Sequence, residues 1–152
     1  PQWKIDGNPK RDNADGAALR REPGGAFAAD GAQALAFEPG AKLFRDRDYT
    51  LSERPEALAG ARFLRVALDG DKSLTCSSAG IVYVATPLPE RNPRGSQSAN
   101  LEAQGFEKVA LPEFNLFEHT SYPANLVTLY QKEGAAGETV DIGKWAVPIF
   151  FE

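Results

Sequence analysis

Ile81-Val82-Tyr83-Val84-Ala85-Thr86 is the stretch whose reading decides the fold. All but one of its positions are β-branched or aromatic, and such side chains favour the extended backbone. A strand with one wet face alternates apolar with polar residues, because successive side chains point to opposite sides. This stretch does not alternate. Its continuous apolar character predicts a central strand covered on both faces.

Upstream, Ser78-Ala79-Gly80 turns the chain into that strand, and Ser73-Leu74-Thr75-Cys76-Ser77 alternates with period two. Before it, Arg62 to Leu68 reads as a strand closed by Asp69-Gly70-Asp71, a sequence whose commonest use is a tight hairpin turn. Ala26-Phe27-Ala28 and Ala34-Leu35-Ala36-Phe37 are separated by Asp30-Gly31 and read as hairpin or meander material, continued by Lys42-Leu43-Phe44. Downstream, strands are expected at Phe106–Val109, Phe114–Phe117, Asn125–Lys132, Glu138–Gly143 and Trp145–Phe151, with Pro148 suited to a strand edge or bulge. One short helix is expected over Ser52–Gly60, where Ser52 caps, Pro55 fits the first turn and Gly60 stops it. A second runs from about Ser98 to Gln104 and ends at Gly105. About ten short strands, Gly- and Pro-rich turns and no sustained helical period give an all-β, antiparallel β-sandwich or jelly roll with one or two short helices. Residues 1–152 read as a single domain whose first 25 residues form an irregular N-terminal segment, with Trp3 and Ile5 marking a short first strand.

The net charge of −4 argues against nucleic acid, whose phosphates need clustered Lys and Arg. No window approaches 18 consecutive apolar residues, so no membrane-spanning helix is expected. Cys76 is the only cysteine, which excludes an internal disulfide; it reads as a small buried hydrophobe. With one Cys and the single His119, zinc chemistry has too few ligands. No P-loop, dinucleotide fingerprint or nucleophile elbow is present, so no catalytic residue is assigned and no cofactor is expected beyond an optional Ca²⁺. The sequence begins at Pro1 and contains no Met. The expectation is a mature chain after signal-peptide removal, or a piece of a longer one, placed outside the cell or in the periplasm.

The segment Gly40-Ala-Lys-Leu-Phe-Arg-Asp-Arg-Asp-Tyr-Thr50 is followed by Pro55-Glu56-Ala57-Leu58-Ala59-Gly60 and Phe63-Leu64-Arg65. Val82-Tyr83-Val84-Ala85, Leu129-Tyr130 and Ala136-Gly137-Glu138-Thr139-Val140-Asp141-Ile142-Gly143 come later in the same order. Over about residues 40–147 this pattern resembles an accessory module found beside polysaccharide-degrading enzymes in environmental bacteria. The resemblance implies an extracellular β-sandwich associated with carbohydrate. The chain departs from the pattern after Ala85, where a long loop from Thr86 to Asn92 appears.

Arg45-Asp46-Arg47-Asp48 is the densest charge cluster. In a strand the arginines share one face and the aspartates the other; near a turn, the carboxylates hold backbone amides or bridge to arginines. The cluster is read as structural, with a sugar-hydroxyl or calcium site as the alternative. Asp69 and Asp71 could offer oxygens to calcium, although a turn is the commoner use of Asp-Gly. For ligand binding the candidates are two loops. One carries Arg91, Asn92, Arg94 and Gln97; the other, Glu118 to Pro123, carries His119 and Tyr122. Aromatic rings stack on the apolar faces of sugars, and Trp3, Phe117 and Tyr122 are the loop-borne ones; Trp145 reads as core. The functional expectation is a non-catalytic, carbohydrate-associated extracellular module, binding a glycan or a neighbouring domain. The alternative is a structural or assembly domain of an extracellular layer or filament, self-associating by strand addition through Val147–Phe151. A third reading is a carboxylate-based glycan-active enzyme, which needs two acids converging in a cleft.

Overall fold

The computed structural model describes residues 16–29, 31–118 and 125–152. They form an all-β, sandwich-like fold of three antiparallel sheets. The strands are β1 (Phe27–Ala28), β2 (Gln33–Ala36), β3 (Lys42–Phe44), β4 (Arg47–Thr50), β5 (Arg62–Arg65), β6 (Ser73–Cys76), β7 (Gly80–Pro87), β8 (Glu107–Lys108), β9 (Phe114–Asn115), β10 (Leu126–Gly134), β11 (Thr139–Asp141) and β12 (Val147–Phe150). A 3₁₀ turn at Glu56–Leu58 and a helix α1 at Ser98–Ala103 stand where the two short helices are expected.

The largest sheet has the order β2-β5-β12-β7-β10-β8, with β9 also on β10. β7 lies inside it and pairs with β10 along its whole length, from Gly80↔Gly134 to Val127↔Pro87. Every residue of β7 after Gly80 is buried, which is why its sequence shows no alternation. Ile81, Tyr83 and Ala85 face one core with Val127, Leu129, Val147 and Ile149. Val82 and Val84 face a second core with Tyr130, Leu74, Val140 and Leu101. The first core is covered by Leu43, Phe44, Leu51 and Leu58, and so by the β3–β4 hairpin and the 3₁₀ turn. The second is covered by the three-stranded sheet β1-β6-β11 and by α1. Each fully buried side chain of this size contributes about 1.5–3 kcal/mol.

Three expectations about strand partners are corrected. Asp69-Gly70-Asp71 joins no hairpin: β5 belongs to the large sheet and β6 to the three-stranded one. Likewise β1 pairs with β6 and β2 with β5, so Phe27–Ala36 is no hairpin either. These short segments need a partner on each core, and the chain crosses between sheets to provide it. Finally, Val147–Phe150 is not open for strand addition, because β12 is paired on both sides, with β5 and β7. Pro148 is therefore a buried residue of an interior strand, not of an edge. The ladder to β5 starts only at Ile149, so the missing proline donor falls at its end.

Two close approaches require glycine. A Cβ on Gly80 would lie 1.8 Å from the Gly25 nitrogen, and one on Gly25 would lie 2.0 Å from the Ser78 oxygen. Residues 16–25 are irregular in conformation but pinned. The amide of Ala17 donates to the Lys108 carbonyl, and that of Gly24 to the Phe151 carbonyl. Gln131, buried in β10, accepts from the Arg20 amide through Oε1 and donates to the Ala18 carbonyl through Nε2. The Tyr83 hydroxyl donates to the Arg20 carbonyl. Burial of the Tyr83 ring pushes its phenol up. The expected strand at Trp3 and Ile5 lies outside the described residues.

Candidate functional site

The chain leaves β7 at Pro87 and folds at once into successive turns. The Leu88 carbonyl accepts from the amides of Arg91 and Asn92, and the Asn92 carbonyl accepts from those of Gly95 and Ser96. The Asn92 side-chain Oδ1 also takes the Gly95 amide, at 3.0 Å. Gly95 is buried against this carboxamide, and a Cβ there would lie 2.6 Å from Asn92 Nδ2. The loop ends where the buried Thr86 hydroxyl accepts the Gln97 amide, at 2.7 Å. It is therefore tied at both ends, and Pro87 and Pro93 fix φ within it.

Beside this loop lies a pocket of about 330 Å³. Buried Phe117, Leu126 and Val127 and half-buried Trp145 form its inner wall; exposed Arg91, Pro93 and Arg94 stand at the mouth. Asn92 and Asn125 add two planar amides. Asn125 also positions the wall: its Nδ2 donates to the Phe117 carbonyl at 2.8 Å, and its amide donates to Asn115 Oδ1 at 2.7 Å.

The aromatic wall is assembled from three remote segments. Tyr49 of β4 stacks on Phe117 at 4.3 Å between centroids and 7° between planes. Trp145 lies over Phe117 at 6.4 Å and 22°. Phe44 meets Phe117 edge-on at 6.1 Å. Each such pair is worth about 0.5–1.5 kcal/mol beyond the area it buries.

Trp145 is, among the described residues, the one non-glycine with positive φ, at 66°. The left-handed conformation costs an L-residue about 1–2 kcal/mol. Here it is held by the Trp145 amide donating to the Leu68 carbonyl at 2.9 Å and by the stack on Phe117. Gly143, two residues earlier, also has positive φ, and Asp141 Oδ1 takes its amide at 3.0 Å. Trp145 packs against the first core, as its sequence context suggests, but it also lines the pocket. Its placement is the feature that sequence reasoning misses.

Of the candidate binding residues, Arg91, Asn92 and Arg94 come together on this pocket. Gln97 is not among the residues that line it. Its carboxamide lies against Gly143 and accepts from Asn100 Nδ2 at 3.2 Å, so it supports the Trp145 loop from behind. His119 and Tyr122 lie outside the described residues.

The charge cluster occupies the turn of the β3–β4 hairpin. Asp46 accepts the Leu68 amide at 2.7 Å and the Asp69 amide at 3.2 Å. Partial burial pushes the Asp46 carboxyl up, but those amides and the Arg47 guanidinium together hold it below the ordinary range. Arg47 reaches Asp69 at 2.5 Å, and Asp48 pairs loosely with Lys42 at 3.8 Å. These ion pairs are exposed, where solvent screens the attraction. The Asp46 bonds to backbone are the stronger tether. Arg45 lines a separate polar cavity with Asp69, Asp71 and Lys72. Asp69 is already engaged by Arg47, and no group of three or more His, Cys, Asp or Glu able to hold a metal occurs among the described residues. Among the described residues, the two carboxyls with a clear displacement, Asp46 and Glu138, are both displaced downward. No helix among the described residues is long and apolar enough to cross a membrane.

The fold has a known counterpart. A GH138 enzyme targeting pectin rhamnogalacturonan II matches it with a TM-score of 0.56 at 13% sequence identity. The match covers 91% of this chain but only 17% of that enzyme. At that identity the likeness concerns the fold alone. No family model and no curated protein matches the sequence.

Proposed function

We propose that this chain is a non-catalytic, carbohydrate-associated module, and that the pocket between Arg94 and Trp145 is its sugar-binding site. The observation that carries this reading is the half-buried Trp145, held in a costly backbone conformation on the inner wall of a pocket that also presents planar amides and guanidinia. Strain of this kind concentrates where a side chain must be aimed at a ligand. The indole face of Trp145 matches the C–H face of a pyranose, and Asn92, Asn125, Arg91 and Arg94 offer the polar groups that hydroxyls need. The pocket volume suits one or two sugar rings. The fold shared with a portion of a much larger glycan-targeting enzyme supports an accessory role, and an extracellular or periplasmic location follows from that role.

Catalysis by paired carboxylates finds no support in this pocket, since no acid lines it among the described residues. The test is binding of the intact chain to a panel of plant and bacterial polysaccharides, with reducing-end release measured in parallel. Binding to at least one glycan, lost in Trp145→Ala with the fold intact by circular dichroism, is the expected result. Failure to bind any glycan would overturn the proposal, as would sugar release by the isolated chain.

A further inference from the structure

The electrostatics of the pocket point to a narrower class of ligand, one that rests on the carbohydrate reading above. The chain as a whole is acidic, at −4. Its aromatic pocket is not: Arg91 and Arg94 line it, and no Asp or Glu does among the described residues. Glu90 and Glu118, the nearest acids in sequence, are exposed and lie outside the lining. Arg91 already has an interaction of its own. Arg94 has none among the described residues: it makes no side-chain hydrogen bond or ion pair and lines the mouth of the pocket.

The free guanidinium is also well presented. Pro93 precedes Arg94, and the Asn92 side chain locks Gly95 after it. Little loop entropy is lost when a ligand engages it. A guanidinium offers a planar fork of donors that matches two oxygens of a carboxylate or sulfate. Neutral hydroxyls alone can be bound by amides, and Asn92 and Asn125 already supply those.

We infer that the pocket takes an anionic pyranose, its ring against Trp145 and its acidic group on Arg94. The anionic oxygens could belong to a uronic-acid carboxylate or a sulfate ester, and the test separates the two.

The intact chain is titrated calorimetrically with four oligosaccharide probes of equal length. They are an oligogalacturonate, its fully methyl-esterified form, a sulfated galactan fragment and an unsulfated galactan fragment. The esterified probe keeps the rings and removes the charge. The expected result is that one anionic probe binds about tenfold or more tightly than its neutral counterpart, which is the scale of a charge-assisted hydrogen bond. Added salt should weaken the anionic probe and leave the neutral one unchanged. Arg94→Gln should erase the preference while residual neutral binding remains; Trp145→Ala should remove binding of every probe. Equal affinity for charged and neutral probes would overturn the inference and leave the carbohydrate reading standing. Absence of binding to all four, together with a silent polysaccharide panel, would overturn both.

Discussion

Gly143→Ala tests how the Trp145 loop is built. Gly143 has φ of 67°, which costs alanine about 1–2 kcal/mol. The new Cβ would also lie 2.1 Å from Gln97 Oε1 and 2.3 Å from its Cδ. Those atoms end a flexible side chain, so Gln97 would swing away rather than force the backbones apart. Swinging away forfeits the 3.2 Å bond from Asn100 Nδ2, worth about 0.5–1.5 kcal/mol. The expected loss is about 1.5–3.5 kcal/mol, or roughly 3–14 °C in Tm for a domain of this size. Gln97→Ala alone should cost only the hydrogen bond. The double variant should then fall short of the sum of the singles by about 0.5–1.5 kcal/mol, because both singles lose the same bond. Urea unfolding followed by tryptophan fluorescence, with equal m-values, measures all four corners of the cycle. Strict additivity, or a Gly143→Ala chain as stable as the parent, would refute the account.

Gly80→Ala should be far more severe, since its Cβ would meet the Gly25 nitrogen at 1.8 Å and backbone cannot swing aside; little soluble folded protein is expected by circular dichroism. Thr128 is buried and its hydroxyl has no hydrogen-bond partner among the described residues, so Thr128→Val should be neutral or stabilising by up to about 1 kcal/mol in urea unfolding. Asp46 has a carboxyl held below its unfolded value, so its stabilisation is complete above the unfolded pKa and is lost as pH falls through the folded one. Asp46→Asn should therefore lower Tm at neutral pH and flatten the acid limb of a Tm–pH curve; an unchanged limb counts against the role given to Asp46. Burial, and secondarily the charge of Glu138, push the Cys76 thiol up, so alkylation should proceed only as fast as the chain opens.

Some of this was legible in the sequence and some was not, for physical reasons. Ile81–Thr86 announced a doubly covered strand because burial on two faces erases alternation. Most strands and both short helices could be placed from period and punctuation. Partner choice could not, because Asp69-Gly70-Asp71 has the same local chemistry whether it closes a hairpin or carries the chain to another sheet. Arg47–Thr50 is a strand whose charges conceal it, since only hairpin pairing and a turn-capping Asp46 justify them. At the site, Arg91, Asn92 and Arg94 were visible as a polar loop. The Tyr49–Phe117–Trp145 wall was not, because no local pattern joins residues so far apart.

The repeated crossing from sheet to sheet has a consequence for how the chain reaches this state. Among the paired strands of the described residues, only β3 and β4 are joined by a tight turn. β7, β12 and β5 must be brought together from distant parts of the sequence before any of them is shielded. Loop closure comes before its reward, which puts folding in the millisecond-to-second range. It also means that neither half of the chain holds a complete core. A break between β7 and β10 separates strands that bury each other, so such fragments should remain unfolded apart and regain protected amides only when mixed.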